Sequence, residues 1–553
     1  MNKPFAAPLT APLTSDAAWW RGAVIYQIYP RSFQDSNGDG IGDLPGITSR
    51  LGYVADLGVD AIWLSPFFTS PMKDFGYDVS NYRDVDPIFG TLKDFDDLVA
   101  EAHRLGLKVM IDQVLSHTSD QHPWFAESRK DKTNPKADWF VWADARPDGT
   151  APTNWLSVFG GPAWEWDSRR CQYYLHNFLA SQPDLNFHNE EVQAALLDDV
   201  RFWLERGVDG FRLDTVNYYF HDRELRSNPP LDREQTGNDA PAVNPYGRQQ
   251  HIYDKTQPEN IGFLVKFRAL LDEYPGTTAV GEVGDGDRSL DTMAAYTSGG
   301  DKLHMCYTFD FLGSGYGRDF FRGTLETFET KAQSGWPCWA WSNHDVIRHA
   351  TRFADRTSDP ARMAKLLGSL LLSFRGSACL YQGEELGLTE ADLAYEDLVD
   401  PYGIRFWPEF KGRDGCRTPM VWESGAPYGG FSTAKPWLPV PQDHLARAPS
   451  VQVGDSASIH AHYRRFLHFR RGEPALFSGE IEFLESEGDV LAFLRKSGNE
   501  AILCVFNLDP EPAAFAVPPH LSVTSIDGLG FTATLTGGVV NLGPEDAFYG
   551  RVA

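Results

Sequence analysis

In Gly-Phe-Arg-Leu-Asp, residues 210–214, an arginine and an aspartate stand two apart inside an apolar run. Along a β-strand, residues i and i+2 point to one face, so Arg212 and Asp214 share a surface while Phe211 and Leu213 take the other. Asp112, Glu282 and Asp345 close further apolar runs in the same way. A lone acid in that position most often caps the next helix, but four gathered at strand ends can do chemistry together. Two carboxylates facing each other across a pocket can cleave a glycosidic bond, one attacking or stabilising the anomeric carbon and the other protonating the departing oxygen. The pair needs unequal proton affinities. Arg212 would hold Asp214 ionised and fit to be the nucleophile, whereas desolvation at the end of Thr-Ala-Val-Gly-Glu, 278–282, would favour Glu282 as the neutral acid.

Residues so placed require strands whose ends converge. Eight apolar runs, beginning at Ala23, Ala61, Lys108, Gly210, Thr278, Met305, Trp339 and Ala378, alternate with stretches of helical spacing. Phe95, Leu98, Val99, Ala102 and Leu105 form one such stripe, and Val192, Ala195, Leu196, Val200 and Trp203 another, the second opened by Asn189 ahead of Glu190 and Glu191. Eight strand-then-helix units predict a parallel (β/α)8 TIM barrel. Three connections, Leu115 to about His188, Asn217 to Gln257 and Glu385 to about Trp437, are long, and each follows a strand, so all belong to the C-terminal face where barrel enzymes keep their sites. The expected organisation is an N-terminal arm over 1–16, a barrel over 17–114 and 189–475, a subdomain over 115–188 inserted after strand 3, and a C-terminal antiparallel β domain over 476–553.

The formal charge of −26, from 76 acidic and 50 basic residues, disfavours nucleic acid or any other polyanionic partner. The six cysteines lie far apart without a C-x-x-C pair, which argues against a zinc site or a disulfide framework and for a reducing compartment. The first sixteen residues lack a signal-peptide core, and the longest apolar stretch, Leu366–Phe374, is too short to span a bilayer. A cytoplasmic protein without a membrane partner is therefore expected, as a monomer or a homodimer.

Five segments occur in a telling order: Asp-Gln-Val-Leu-Ser-His (112–117), Gln-Pro-Asp-Leu-Asn (182–186), Gly-Phe-Arg-Leu-Asp (210–214), Gly-Glu-Val around Glu282 and Ser-Asn-His-Asp (342–345). Together they resemble the α-amylase family of glycoside hydrolases, family 13, and within it the α-glucosidase and oligo-1,6-glucosidase group, over nearly the whole chain. The resemblance implies Asp214 as nucleophile, Glu282 as general acid/base and Asp345 as the carboxylate that holds sugar hydroxyls, with His117 and His344 on the same sugar. Tyr77 and Asp78 resemble the stacking platform and the acid gripping the terminal glucose, and Arg413 resembles the salt-bridge partner of that acid. A pocket closed in this way would release single glucose units from a non-reducing end.

Asp35, Asn37, Asp39 and Asp43 alternate with glycines in Asp-Ser-Asn-Gly-Asp-Gly-Ile-Gly-Asp, an arrangement suited to a hard cation that begins like an EF-hand loop but has Gly46 at position twelve. The resemblance implies a structural Ca2+ or Mg2+ here, with the Ile41 carbonyl as a further ligand, and no organic cofactor. The plainer reading is a turn held by Asx hydrogen bonds. Thr215, after the nucleophile, tilts the expected substrate toward maltose-like α-1,4 linkages, since valine at this place accompanies α-1,6 preference in the resembling group. The rival view is that a β-branched residue merely suits a strand end. An oligo-1,6-glucosidase, a sucrose-acting hydrolase or isomerase, and a glucosyltransferase share the first half-reaction. A non-catalytic carbohydrate-binding or scaffold homologue is the alternative of a different class, against which the retained acids count. The polar 228–250 stretch is either a surface loop or a flap over the aglycone side.

Overall fold

The apolar runs are the staves of a closed barrel. The computed structural model describes residues 17–231 and 240–553. The expected N-terminal arm over 1–16 and the middle of the 228–250 stretch lie outside the described residues. The barrel strands are β1 (Val24–Ile28), β2 (Ala61–Leu64), β3 (Lys108–Gln113), β4 (Gly210–Leu213), β5 (Thr278–Val283), β6 (Met305–Thr308), β7 (Cys338–Ala340) and β8 (Ser377–Tyr381). Lys108 apart, every residue in them is buried, as expected of a parallel sheet covered on both faces. Each strand pairs in parallel with its chain neighbour from β1 to β6, β7 pairs with β8 and β8 with β1. A parallel bridge from Cys306 to Pro337 joins the β6 and β7 edges.

Eight helices alternate with the strands: α1 (Leu44–Leu57), α2 (Leu92–Arg104), α3 (Glu190–Leu204), α4 (Asn260–Asp272), α5 (Ser289–Thr297), α6 (Arg318–Ala332), α7 (Pro360–Ser373) and α8 (Ile459–Arg471). Their starts follow local chemistry. Thr91 and Asp94 form a capping box at α2, and the Asn189 side chain accepts the Glu191 N–H at 2.9 Å to open α3. The buried stripe of α2 is Phe95, Leu98, Val99 and Ala102, and that of α3 includes Val192, Leu196, Val200 and Trp203, the spacing that turns one helix face inward.

Between β3 and α3 the chain makes a small antiparallel sheet from Trp142–Ala143, Gln172–Leu175 and Trp164–Asp167. From Glu480 onward it forms antiparallel sheets of five and three strands. This domain docks on the barrel through the buried Arg495, whose Nη1 donates to the carbonyls of Ser373 at 2.6 Å and Phe374 at 2.7 Å at the end of α7. No helix among the described residues is long and apolar enough to cross a membrane. All six cysteines are free, and Cys338 and Cys379 face each other across β7 and β8 with sulfurs 3.5 Å apart.

Candidate active site

Arg212 is wholly buried and points along the barrel interior. The parallel register sets it beside Asp112 on β3 and Val280 on β5. Its Nη1 donates to Asp112 at 2.8 Å and to Asp214 at 2.6 Å, and its Nη2 lies 2.5 Å from Glu282. Tyr307, opposite Glu282 in the β5–β6 register, accepts from Nη2 at 3.0 Å and donates to Glu282 Oε1 at 2.9 Å. The expected contact between Arg212 and Asp214 is present, but one guanidinium serves three carboxylates. Its charge is therefore divided. Burial pushes Asp214 well above the usual carboxylate range, Arg212 opposes that push, and the charges of Glu282 and Asp112 reinforce it. Arg212 thus favours the ionised form of Asp214, as the sequence reading expects, but divides its charge with Asp112 and Glu282. Burial likewise raises Asp112 to about 6, again against Arg212.

Asp345, in the loop beyond β7, sits in the opposite electrostatic setting. Burial there is outweighed by His344, Arg417 and Arg413, and the carboxyl is held far below its ordinary value. Its Oδ1 accepts from Arg417 at 2.8 Å and from Arg413 at 3.3 Å. Arg413 also bonds Asp74 at 2.8 Å and Asp400 at 2.8 Å. The acid paired with Arg413 is thus Asp74, a correction to the expectation for Asp78. Asp78 is buried behind the loop and accepts from Ser70 Oγ at 2.9 Å, Lys73 N at 2.9 Å and Asp74 N at 3.0 Å. It staples the turn in which Phe75 and Gly76 take left-handed φ of 52° and 110°, and that turn presents Asp74 and Tyr77 to the cavity.

Tyr77 stacks on His344 with rings 5.4 Å apart and 4° from parallel, and its hydroxyl bonds His344 Nε2. His344 is fully buried behind Tyr77 and Asp345. Gln27 Nε2 approaches its Nδ1 at 2.7 Å, so Nδ1 accepts and Nε2 carries the proton. His117 donates from Nε2 to the Tyr77 carbonyl at 3.1 Å and receives from Ser116 at 2.8 Å on Nδ1. Burial lowers it to about 4, which keeps it neutral.

Thr215 departs from strand geometry altogether: φ is 41° and ψ 50°. A β-branched residue in the left-handed region is strained, so the view that it merely suits a strand end does not hold. The twist lets its N–H donate to Glu282 Oε2 at 3.1 Å.

Tyr77, His117, Asp214, Thr215, Glu282, Asp345 and Arg413 line one cavity of about 470 Å³ at the C-terminal end of the barrel. Arg212 and His344 lie behind its wall, and Asp78 lies outside it. Four participants escaped the sequence reading. Asp74 was hidden by Asp78, four residues on in the same Asp-Gly-rich segment. Arg417 shares the Gly-Arg-Asp-Gly-Cys-Arg run with Arg413. Tyr307 was signalled only as a polar tip in an apolar strand, and Asp400 carried no signal.

Residues 27–479 match the model of the α-amylase catalytic domain. The chain belongs to the α-amylase family of glycoside hydrolases. Residues 481–533 match the maltogenic amylase C-terminal domain. The chain is 63% identical over 98% of its length to a protein of Rhizobium meliloti (strain 1021) named as a probable α-glucosidase, 98% of which is covered. It is 35% identical to an oligo-1,6-glucosidase of Parageobacillus thermoglucosidasius, with 92% of this chain and 93% of that one covered. The crystal structure of the α-glucosyl transfer enzyme XgtA superposes with a TM-score of 0.94 at 55% identity, over 98% of this chain and all of that one (100%).

The Asp35–Asp43 loop wraps as successive Asx turns. Asp35 accepts from the N–H groups of Asn37 at 3.0 Å, Gly38 at 2.7 Å and Gly40 at 2.8 Å, and Asp43 caps α1 through Gly46 N at 2.6 Å. Among the described residues, no group of three His, Cys, Asp or Glu side chains is placed to hold a metal. The donor set nevertheless suits a hard cation: Asp35 and Asp43 are both buried, and no basic side chain is ion-paired with either of them among the described residues.

Proposed function

We propose that this enzyme is a retaining, exo-acting α-glucosidase that releases α-glucose from the non-reducing end of short α-glucosides, preferring maltose-like α-1,4 linkages, by double displacement with accompanying transglucosylation. The observation that supports the exo reading is the Asp74–Arg413 pair, held by Asp400, with both partners lining the cavity alongside Asp345. On this reading the pair closes the site behind one terminal sugar.

In this reading Asp214 attacks the anomeric carbon while Glu282 protonates the glycosidic oxygen, and the aglycone leaves. Glu282 then draws a proton from water, which displaces Asp214 and yields α-glucose. Both carboxylates bond one guanidinium, and so close a placement suits the spacing of about 5–5.5 Å that retention needs rather than the wider gap of inversion. Asp345, kept anionic by Arg413 and Arg417, would grip sugar hydroxyls and face the positive charge that develops at the anomeric centre. The relatives named for α-glucosidase, oligo-1,6-glucosidase and α-glucosyl transfer activity all agree with a first half-reaction on an α-glucosyl group.

Proton NMR of the enzyme with equal maltose and isomaltose tests the proposal. Maltose should disappear first, with glucose appearing initially as the α anomer. Prior consumption of isomaltose would assign an oligo-1,6-glucosidase instead, and initial β-glucose would overturn retention. We further propose that the loop holds a structural Ca2+ or Mg2+ through Asp35, Asn37, Asp39, the Ile41 carbonyl and Asp43. Bound, such an ion would neutralise the two buried carboxylates and tie the loop to α1. Chelator should then lower the melting temperature, and Ca2+ or Mg2+ should restore it. Free thiols throughout suit the reducing conditions of the cytoplasm.

A further inference from the structure

A short chain of hydrogen bonds links His117 to Asp214. Ser116, buried in the loop that follows β3, places its Oγ 2.8 Å from His117 Nδ1 and 3.2 Å from Thr215 Oγ1. Thr215 Oγ1 in turn lies 3.3 Å from Asp214 Oδ2. The protons give the chain a direction. The Tyr77 carbonyl can only accept, so the neutral His117 carries its proton on Nε2, and Nδ1 takes a hydrogen bond from Ser116. Ser116 has no second proton to give, so at its contact with Thr215 the threonine is the donor. Thr215 has one hydroxyl proton too, and two acceptors compete for it at nearly equal distances: Ser116 Oγ and Asp214 Oδ2.

The competition falls on an atom placed to react. Asp214 Oδ1 is tied to Arg212 Nη1 at 2.6 Å, whereas among the described residues Thr215 is the one side chain that bonds Oδ2. Oδ2 is therefore the oxygen freer to attack. A hydrogen bond donated to it stabilises the anion and weakens it as a nucleophile. Ser116 also bears on Glu282, because Thr215 is held at a φ of 41°, where its N–H reaches Glu282 Oε2 at 3.1 Å. Strain of this kind persists only where the surroundings enforce it, and the Ser116 hydroxyl is one of those constraints.

Resting on the α-glucosidase reading, we propose that Ser116 is a positioning residue for the nucleophile: by accepting the Thr215 proton it leaves Asp214 Oδ2 free to attack, and in the second half-reaction the same proton turns to Oδ2 as Asp214 departs. In the first step Oδ2 gives an electron pair to the anomeric carbon, the bond to the glycosidic oxygen breaks with its pair, and that oxygen takes the proton of Glu282. In the second, a water oxygen bonds to the carbon, its proton passes to Glu282, and the bond to Oδ2 breaks with its pair returning to the carboxylate. A Thr215 hydroxyl turned to Oδ2 hinders the first step and helps the second.

Ser116→Ala leaves Asp214 as the remaining acceptor for that hydroxyl. The two half-reactions are read separately: the first as kcat/KM on p-nitrophenyl α-glucoside, the second as the reactivation rate of enzyme trapped by a slow fluorinated α-glucosyl fluoride and then freed of excess reagent. In Ser116→Ala, kcat/KM should fall about fivefold, the rate equivalent of one neutral hydrogen bond, while reactivation is unchanged or faster. In Thr215→Val, which has no hydroxyl to compete, adding Ser116→Ala should cost less than about twofold. Thr215→Val alone should slow reactivation several-fold, an effect independent of how well Ser116→Ala folds. Equal falls in both half-reactions, or the same loss from Ser116→Ala in both backgrounds, would overturn the proposal and leave Ser116 as support for packing or for His117. A wild-type enzyme that neither cleaves the p-nitrophenyl glucoside nor is trapped at Asp214 would remove the α-glucosidase reading and the proposal with it, an outcome distinct from the others.

Discussion

Replacing Asp74 and Asp78 separately by asparagine should separate gripping a sugar from holding a loop. Asp74 bonds Arg413 at 2.8 Å and Gln182 at 3.0 Å. Asp74→Asn leaves Arg413 paired with Asp400, so the stability loss stays near that of one hydrogen bond, about 1 kcal/mol. The catalytic loss is larger, because a charged group aimed at the reacting sugar is worth about 2.7–4 kcal/mol, or roughly a hundredfold to a thousandfold in kcat/KM. Asp78→Asn keeps one oxygen for Ser70 and Asp74 N but turns an amide toward Lys73 N. That change costs about 1–3 kcal/mol of stability and less than about tenfold in activity, since the sugar contact remains. Kinetics on p-nitrophenyl α-glucoside with thermal melts of both variants provide the comparison. Burial also raises Asp74 to about 6 despite Arg413. As pH falls through 6 the carboxylate is lost, so wild-type kcat/KM should fall on that limb and Asp74→Asn should lack it. A hundredfold loss in Asp78→Asn at unchanged melting temperature, with Asp74→Asn near wild type, would refute the assignment of Asp74.

Asp214→Asn should lower turnover by at least about four orders of magnitude, as loss of a covalent nucleophile does, without lowering the melting temperature, because it relieves the crowding of three acids on Arg212. A clear drop in melting temperature would show that the carboxylate is needed for folding instead. Tyr307→Phe removes the hydroxyl between Glu282 and Arg212 and should reduce kcat about tenfold while moving the basic limb of the pH profile. A changed rate with an unmoved profile would mean a packing effect. Asp184 is buried with Asn177 as its side-chain partner, and burial raises it to about 8. The folded state thus retains a proton that the unfolded chain releases near pH 4, so this residue's contribution to stability is lost as pH rises through 8. Asp184→Asn should match wild type near pH 4 and gain on it up to pH 8, as read by urea unfolding. A constant difference across that range would count against the buried proton.

Local patterning exposed what depends on near neighbours in the chain. The apolar runs, the helical stripes and the Asn189 cap are decided by residues within a turn or a strand, and the strand-then-helix alternation leads from them to a barrel. Strand ends carry Asp112, Asp214, Glu282 and Asp345 to one face by topology alone. The choice between Asp74 and Asp78 was not legible, because both lie in one irregular loop and only its left-handed turn decides which carboxylate faces the cavity. Arg417 and Asp400 come from the long connection after β8, where no periodicity constrains side-chain direction. Thr215 misleads for a related reason: its neighbours read as a strand, and tertiary contacts with Ser116, Asp214 and Glu282 turn its backbone out of that conformation.

Arg212 shows why local reading captures only part of the electrostatics. The i, i+2 rule ties it to Asp214 alone, but closing the sheet brings Asp112 from β3 and Glu282 from β5 to the same guanidinium. Six acids then surround the cavity (Asp74, Asp112, Asp214, Glu282, Asp345 and Asp400) against three arginines, and the distribution is uneven. Arg413 and Arg417 attend Asp74, Asp345 and Asp400, whereas Arg212 alone attends the other three. The shortage of positive charge is greatest around Arg212, where burial raises the proton affinity of Asp112 and Asp214. The better-supplied end keeps Asp345 anionic. In the proposed mechanism a surplus of negative charge around the cavity is offset when the sugar ring becomes cation-like. The surplus predicted to leave Asp214→Asn no less stable than wild type is, on this reading, also what the proposed reaction draws upon.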